Sequence, residues 1–211
     1  MKSKNDLLKI IGVLSMAIDH VGYIFFPDNE IFRIIGRLAF PIFAFHIYLG
    51  IINTKKFKVY ILRLLGFAVI SQLPYMLAFQ ILSLNSLFTL LLSALLIKFF
   101  QRKKWFLFFV IIIFSSVVAI DAGLYGVLIP LIFYLTKERP RLTILIWILW
   151  TLLFINYSYP SYQLYGIVAI ILCLFNTGIN LRIRLSKWFF YIFYPAHLLI
   201  LVTLYVFLYS S

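Results

Sequence analysis

Only six of the 211 residues are acidic, only one is a cysteine, and charged residues of both signs make up 12% of the chain. The lone Cys173 excludes an intramolecular disulfide and leaves the redox compartment unread. An internal repeat, a glycine-rich phosphate loop, a Cys/His metal-ligand spacing and a soluble domain are all missing, so no metal is expected. In their place stands apolar bulk: 64% of residues are hydrophobic and 19% aromatic. That balance belongs to membrane proteins, whose core is built in lipid.

The 19 Lys and Arg residues would suggest nucleic acid in a soluble protein, so their positions decide the matter. They fall in short clusters between apolar runs: Lys2 and Lys4; Lys55, Lys56 and Lys58; Lys98, Arg102, Lys103 and Lys104; Lys137, Arg139 and Arg141; Arg182, Arg184 and Lys187. The alternate connections, "FPDNEIFRI", "SLNS", "IDAG" and "NYSYPSY", are nearly free of basic residues. Under the positive-inside rule the basic loops are cytoplasmic. The net charge is then a topology signal, the partner is the lipid bilayer, and nucleic acid is not expected.

A bilayer core of about 30 Å takes roughly 20 helical residues. The runs predict an all-α, polytopic transmembrane bundle of about nine spans at 7–26, 36–53, 59–81, 85–101, 104–120, 123–136, 142–156, 162–177 and 187–209. The N-terminus is cytoplasmic, and residues 1–211 form one membrane domain. The basic start "MKSKNDLLKIIG" lacks a small-residue cleavage pattern and reads as the first retained helix. Helix is preferred over barrel because the alternation of a membrane strand is missing.

Apart from members of the basic clusters, few ionisable groups lie in or at the edge of these runs: Lys9, Asp19, His20, His46, Arg63, Asp121 and His197, with Arg33 and Arg37 the basic residues assigned to the outer side. A charge at mid-span costs about 2.5–3.5 kcal/mol on insertion scales, so such groups normally face a protein interior or a watered cavity. Lys9 and His20 are eleven residues apart, which returns to nearly the same helix face after about 16 Å. Gly12, Val13 and Met16 complete that stripe and predict room beside it for something slender. Structural readings stand alongside: an Asp19–Arg37 ion pair that fixes packing, His20 or His46 as an interhelical hydrogen bonder, and a snorkelling Arg63.

Read in order, "LLKIIGVLSMAIDHVGYIFFP", "IIGRLAFPIFAF", "YILRLLGFAVISQLPY", "LNSLFTLLL", "DAGLYGVL", "SYQLYGIVAIILCLFNTG" and "FFYIFYPAHLLIL" resemble the TraX family of membrane proteins. More distantly, Lys9 with His20, "RLAFPIFAF" and the Tyr194–His197 pair resemble the membrane acyltransferase-three superfamily. The family's named activity is N-terminal acetylation of pilin. The resemblance implies a multi-pass acetyltransferase of the bacterial cytoplasmic membrane that moves acetyl from acetyl-CoA to a pilin or other peptide N-terminus, or to an envelope glycan. Two positions depart from the family pattern: Leu49 before Gly50 and Gln72 two before Pro74 stand where acidic residues are usual, which points to a different acceptor.

Acyl transfer needs a base, and imidazole titrates near neutrality, so His20 is the first candidate. The other candidate catalytic groups are Asp19, Arg37, Asp121 and His197. Asp19 is adjacent to His20 and so points about 100° away from it, which leaves Asp121 or Asp28 as an orienting carboxylate. Lys9, Arg63, Lys55 and Lys56 are candidates for the CoA phosphates, and Tyr125, Tyr194, Gln72 and Asn85 for acceptor binding. The alternative is a small proton-coupled transporter or channel using the buried Asp and His groups.

Overall fold

The computed structural model describes residues 6–136, 139–157, 159–175 and 186–209. Within them the chain is helical, and the one β-type pairing is an isolated bridge between Leu84 and Ile120. The helices are α1 (Asp6–Phe25), α2 (Glu30–Gly36), α3 (Ala39–Asn53), α4 (Phe57–Phe79), α5 (Ser86–Gln101), α6 (Trp105–Val117), α7 (Gly123–Thr136) and α8 (Pro140–Tyr157). A 3-10 segment (Ser161–Gly166) leads into α9 (Ile167–Phe175), and α10 (Lys187–Tyr209) follows. By length and composition α1, Glu30–Asn53, α4, α8 and Trp188–Tyr209 can each cross a bilayer, and the remaining apolar helices are shorter.

Each apolar run identified in the sequence coincides with a helix or a helix pair, and the architecture is a polytopic helical membrane bundle. The last two residues of the eighth run, 176 and 177, and the cluster members Lys2, Lys4, Lys137, Arg182 and Arg184, lie outside the described residues. The second run differs from expectation: it starts at Glu30 and breaks at Arg37–Leu38. Pro41 has no N–H to give to the carbonyl of Arg37, and its ring crowds that carbonyl, so one continuous helix is not available there. Asn29 opens α2 by accepting from the Ile31 N–H at 3.1 Å.

α3 lies at the centre. Ile47 and Ile51 join a core with α4, α5, α6 and α7. Ile42 and Ala44 pack with α1, α7, α8 and α9, and Ala39 packs with Met16, Tyr75, Tyr194 and Leu198. The exposed surface of α4, α6, α8 and α10 is apolar, with Leu62, Val69, Phe106, Ile113, Leu149 and Ile200 all open to the surroundings. Such a surface is stable against lipid and would be a liability in water.

Lys98, at the end of α5, lies over the ring of Phe57, at the start of α4, at 5.2 Å, so the loops holding Lys55–Lys56 and Arg102–Lys104 collect at one end. The other connections meet at the opposite end. There the N–H of Leu84 donates to the Ala119 carbonyl at 2.9 Å and the Asp121 N–H to the Leu84 carbonyl at 2.8 Å. The Thr89 hydroxyl adds a bond to the Asp121 carbonyl. Ala122 and Gly123 take positive φ values of 59° and 41°, a tight reversal that feeds Asp121 toward the bundle interior.

Candidate functional site

Two cavities lie end to end along the bundle. The one toward the basic end measures about 300 Å³ and is lined by Lys9, His46, Tyr60, Arg63, Tyr191 and Tyr194 among mainly apolar side chains. The one toward the opposite end measures about 310 Å³, and its polar lining includes Asp19, His20, Arg33, Arg37, Asp121 and Gln163. Met16, Phe40, Phe43 and Ser86 line both, so the two spaces share a wall.

Near this junction sits a histidine dyad. Nδ1 of His20 on α1 is 2.8 Å from Nε2 of His197 on α10, and the rings are nearly parallel, 13° apart, with centroids at 5.0 Å. Nδ1 of His197 lies 2.7 Å from the carbonyl of Phe193. A carbonyl only accepts, so His197 carries its proton on Nδ1 and presents a lone pair at Nε2. In the neutral dyad His20 therefore donates from Nδ1, and its Nε2 keeps a free lone pair. Among the described residues that nitrogen has no hydrogen-bond partner. Phe79 packs edge-on against the His20 ring at 4.9 Å and restrains it from the side.

Asp19 is engaged elsewhere. Its Oδ1 accepts from Arg37 Nη2 at 2.8 Å and its Oδ2 from Arg33 Nη1 at 2.9 Å. Arg37 also donates from Nε to the Arg33 carbonyl at 3.0 Å and from Nη1 to Gln163 at 3.2 Å. The helix break puts Arg37 where α2 ends, so its side chain can turn back along α2 and still reach α1. Gly36 makes the close approach possible, because a Cβ there would overlap the Asp19 carboxyl. The sequence assigns Arg33 to the outer side with Arg37 but gives it no role at the site, although its four-residue spacing to Arg37 places both on one helical face.

The remaining candidates divide clearly. Asp121 lines the cavity at the end opposite the basic loops, and burial pushes its carboxyl up to about 6 despite the opposing pull of Arg37. Tyr125 also lines it, but its hydroxyl pairs with Thr151 at 3.2 Å. Tyr194 receives a hydrogen bond from the Ser86 hydroxyl at 3.0 Å, which leaves its own O–H hydrogen available. Gln72 and Asn85 bond each other at 2.9 Å, and Asn85 also donates to the Ala68 carbonyl at 2.7 Å, so they clamp α4 to the start of α5. None of Gln72, Asn85, Lys55, Lys56 and Asp28 lines either of these two cavities.

At the basic end Lys9 pairs with Asp6 at 3.0 Å, and Arg63 lies over the rings of Trp188 and Tyr191 at 5.3 and 5.9 Å. The predicted space beside α1 is displaced from the expected stripe. Val13 is buried and Gly12 packs against α3, where a Cβ would sit 3.1 Å from Ile42 Cγ2, and the room opens beside Met16 instead. Among the described residues no three His, Cys, Asp or Glu side chains converge as metal ligands.

Comparison with known proteins adds relatives to this geometry. A probable fimbrial assembly protein FimC, serogroup H1, of Dichelobacter nodosus is 27% identical, with 95% of each chain covered. An uncharacterized protein of Rickettsia prowazekii (strain Madrid E) is 35% identical over 97 residues, covering 46% of this chain and 37% of its own. No solved structure is a match. The TraX protein family matches over residues 4–205, nearly the whole length that builds the two cavities and the dyad, and the chain belongs to that family.

Proposed function

We propose that this TraX protein is a membrane-embedded acetyltransferase of the bacterial cytoplasmic membrane, with its basic end in the cytoplasm. It takes acetyl from acetyl-CoA and delivers it to a nucleophile, on a pilin-like or other peptide N-terminus or an envelope glycan, that enters from the opposite side. The observation that carries this reading is the pair of contiguous cavities with an unshared imidazole nitrogen near their junction.

The donor fits the inner cavity in shape and charge. A pantetheine arm has about as many chain atoms as four residues and reaches roughly 13–14 Å when extended. That is close to the rise of about 16 Å between Lys9 and His20 along α1. Lys9 and Arg63 are cationic groups at the basic end suited to phosphate oxygens, and the apolar middle of the cavity suits the uncharged arm.

His20 Nε2 takes the proton of the acceptor's amine or hydroxyl as the nucleophile bonds to the thioester carbonyl carbon. The developing oxyanion is met by the free O–H of Tyr194, which lines the donor side. The C–S bond then breaks, and the imidazolium of His20 returns the proton to the departing CoA sulfur. Much of the acceleration comes from holding donor and acceptor on either side of one nitrogen.

The test uses purified wild type and His20→Ala in nanodiscs with radiolabelled acetyl-CoA. Saturable donor binding by both proteins, with acetyl release only by wild type, is the expected result. Equal release by both would sink the role of His20. Proton flux in liposomes without any acyl donor would favour the transporter alternative.

A further inference from the structure

We propose that the outer cavity binds an anionic group on the acceptor, a carboxylate or a phosphate, in the fork formed by Arg33 and Arg37. The word acceptor rests on the acyltransferase reading; the anion site itself does not.

Two guanidiniums share one carboxylate here, and all three side chains are largely shielded, with exposures of 21%, 16% and 13% for Arg33, Arg37 and Asp19. A guanidinium has five N–H donors. Arg33 uses one of them, on Asp19, and Arg37 uses three, on Asp19, Gln163 and the Arg33 carbonyl. A purely structural pair would need one arginine and would not leave shielded donors facing a cavity. Both arginines line that cavity.

Each guanidinium is also backed by an aromatic ring, Arg33 by Tyr23 at 5.2 Å and Arg37 by Tyr162 at 5.4 Å. Stacked and ion-paired, the two forks are held before any ligand arrives, which is the arrangement that favours bidentate recognition of planar or tetrahedral oxyanions. The other carboxylate in the cavity, Asp121, does not take up the unused donors: among the described residues no ion pair joins it to either arginine. An anion bound at the fork would hold the acceptor by a group distinct from its nucleophile and leave His20 Nε2 to meet the reacting atom.

The test needs no acetyl donor. Thermal unfolding of the full chain in phosphatidylcholine nanodiscs is followed against inorganic phosphate, with ionic strength held constant by chloride. Wild type is expected to show a saturable rise in midpoint. The half-saturating concentration should climb at least tenfold in Arg33→Gln and in Arg33→Lys, both of which leave the Asp19–Arg37 pair in place. Identical responses in wild type and variants would overturn the proposal. Should both variants fail to fold, phosphate protection of Arg33 and Arg37 in wild type against phenylglyoxal, read by mass spectrometry, decides instead, and no protection overturns it.

Repeating the protection measurement in phosphatidylglycerol nanodiscs distinguishes the sources. Protection without added phosphate assigns the anion to a lipid headgroup, whereas protection only on adding phosphate assigns it to a soluble or acceptor-borne group. Arg33-dependent phosphate binding in a protein that never releases acetyl would overturn the acyltransferase reading and leave this site standing.

Discussion

Exchanging His197 for each of the two amides separates its two hydrogen bonds. Glutamine can set an amide oxygen near the place of Nε2, whereas asparagine reaches only the place of Nδ1. His197→Gln therefore keeps an acceptor for the His20 Nδ1–H, and His197→Asn keeps only the contact to the Phe193 carbonyl. A lost hydrogen bond of this kind is worth about 1–1.5 kcal/mol. Since about 1.4 kcal/mol is a factor of ten in an equilibrium, the asparagine variant should shift the His20 tautomer ratio roughly tenfold toward Nε2–H, the form that is not a base. Acetyl transfer should fall by about the same tenfold in that variant, against about 100- to 10,000-fold for removing a general base outright in His20→Ala. The glutamine variant should stay within about threefold of wild type, because its acceptor retains most of that bond. Nitrogen NMR of labelled histidine reads the tautomer directly, and radiolabelled acetyl transfer reads the rate. Equal activity in the glutamine and asparagine variants, both folded, would refute an orienting role for His197.

Gly36→Ala forces a methyl into the Asp19 carboxyl and should cost about 1–3 kcal/mol, seen as a lower unfolding midpoint together with loss of phosphate protection at Arg33. Asn85→Ala should destabilise by about 1–3 kcal/mol, because it strands buried groups of α4 and α5; a raised KM with unchanged stability would instead return Asn85 to the acceptor site. Asp121 carries a pH signature. Its folded value of about 6 lies above its unfolded value of 3.8, so the folded state holds the proton more tightly and stability from this group falls as pH rises through that window. Asp121→Asn should remove this loss, with a gain in midpoint over wild type at pH 7.5 that vanishes near pH 4; a constant difference across the range would contradict the shift.

The bundle was legible in the sequence because lipid allows so few alternatives. Basic clusters and uncharged runs define both where helices lie and which ends they share, and the reading holds even where α6 and α7 are too short to stand out by length alone. The helix break at Arg37 was not read, though Pro41 four residues on carries its cause. The site was legible residue by residue more than as a geometry. His20, Arg37, Asp121 and His197 line or support one cavity, but no periodicity within a single helix can reveal that α1 and α10 are neighbours. Gln72 and Asn85 show the converse: polar side chains inside apolar runs draw attention in sequence, yet here they satisfy each other and the backbone. Arg33 is visible in sequence only as an outer basic residue of a polar connection, where a cation raises no energetic question until Asp19 is seen to hold two.

The dyad joins residues 177 positions apart, from the first helix and the last described one. Helices enter a membrane in the order of synthesis. His20 thus waits through nearly the whole of translation before His197 arrives to fix its ring. A chain interrupted between residues 63 and 197 carries Lys9, His20 and Arg63 but lacks the acceptor that fixes the His20 tautomer, so under the proposed mechanism a stalled nascent protein holds its cations before it holds an aligned base.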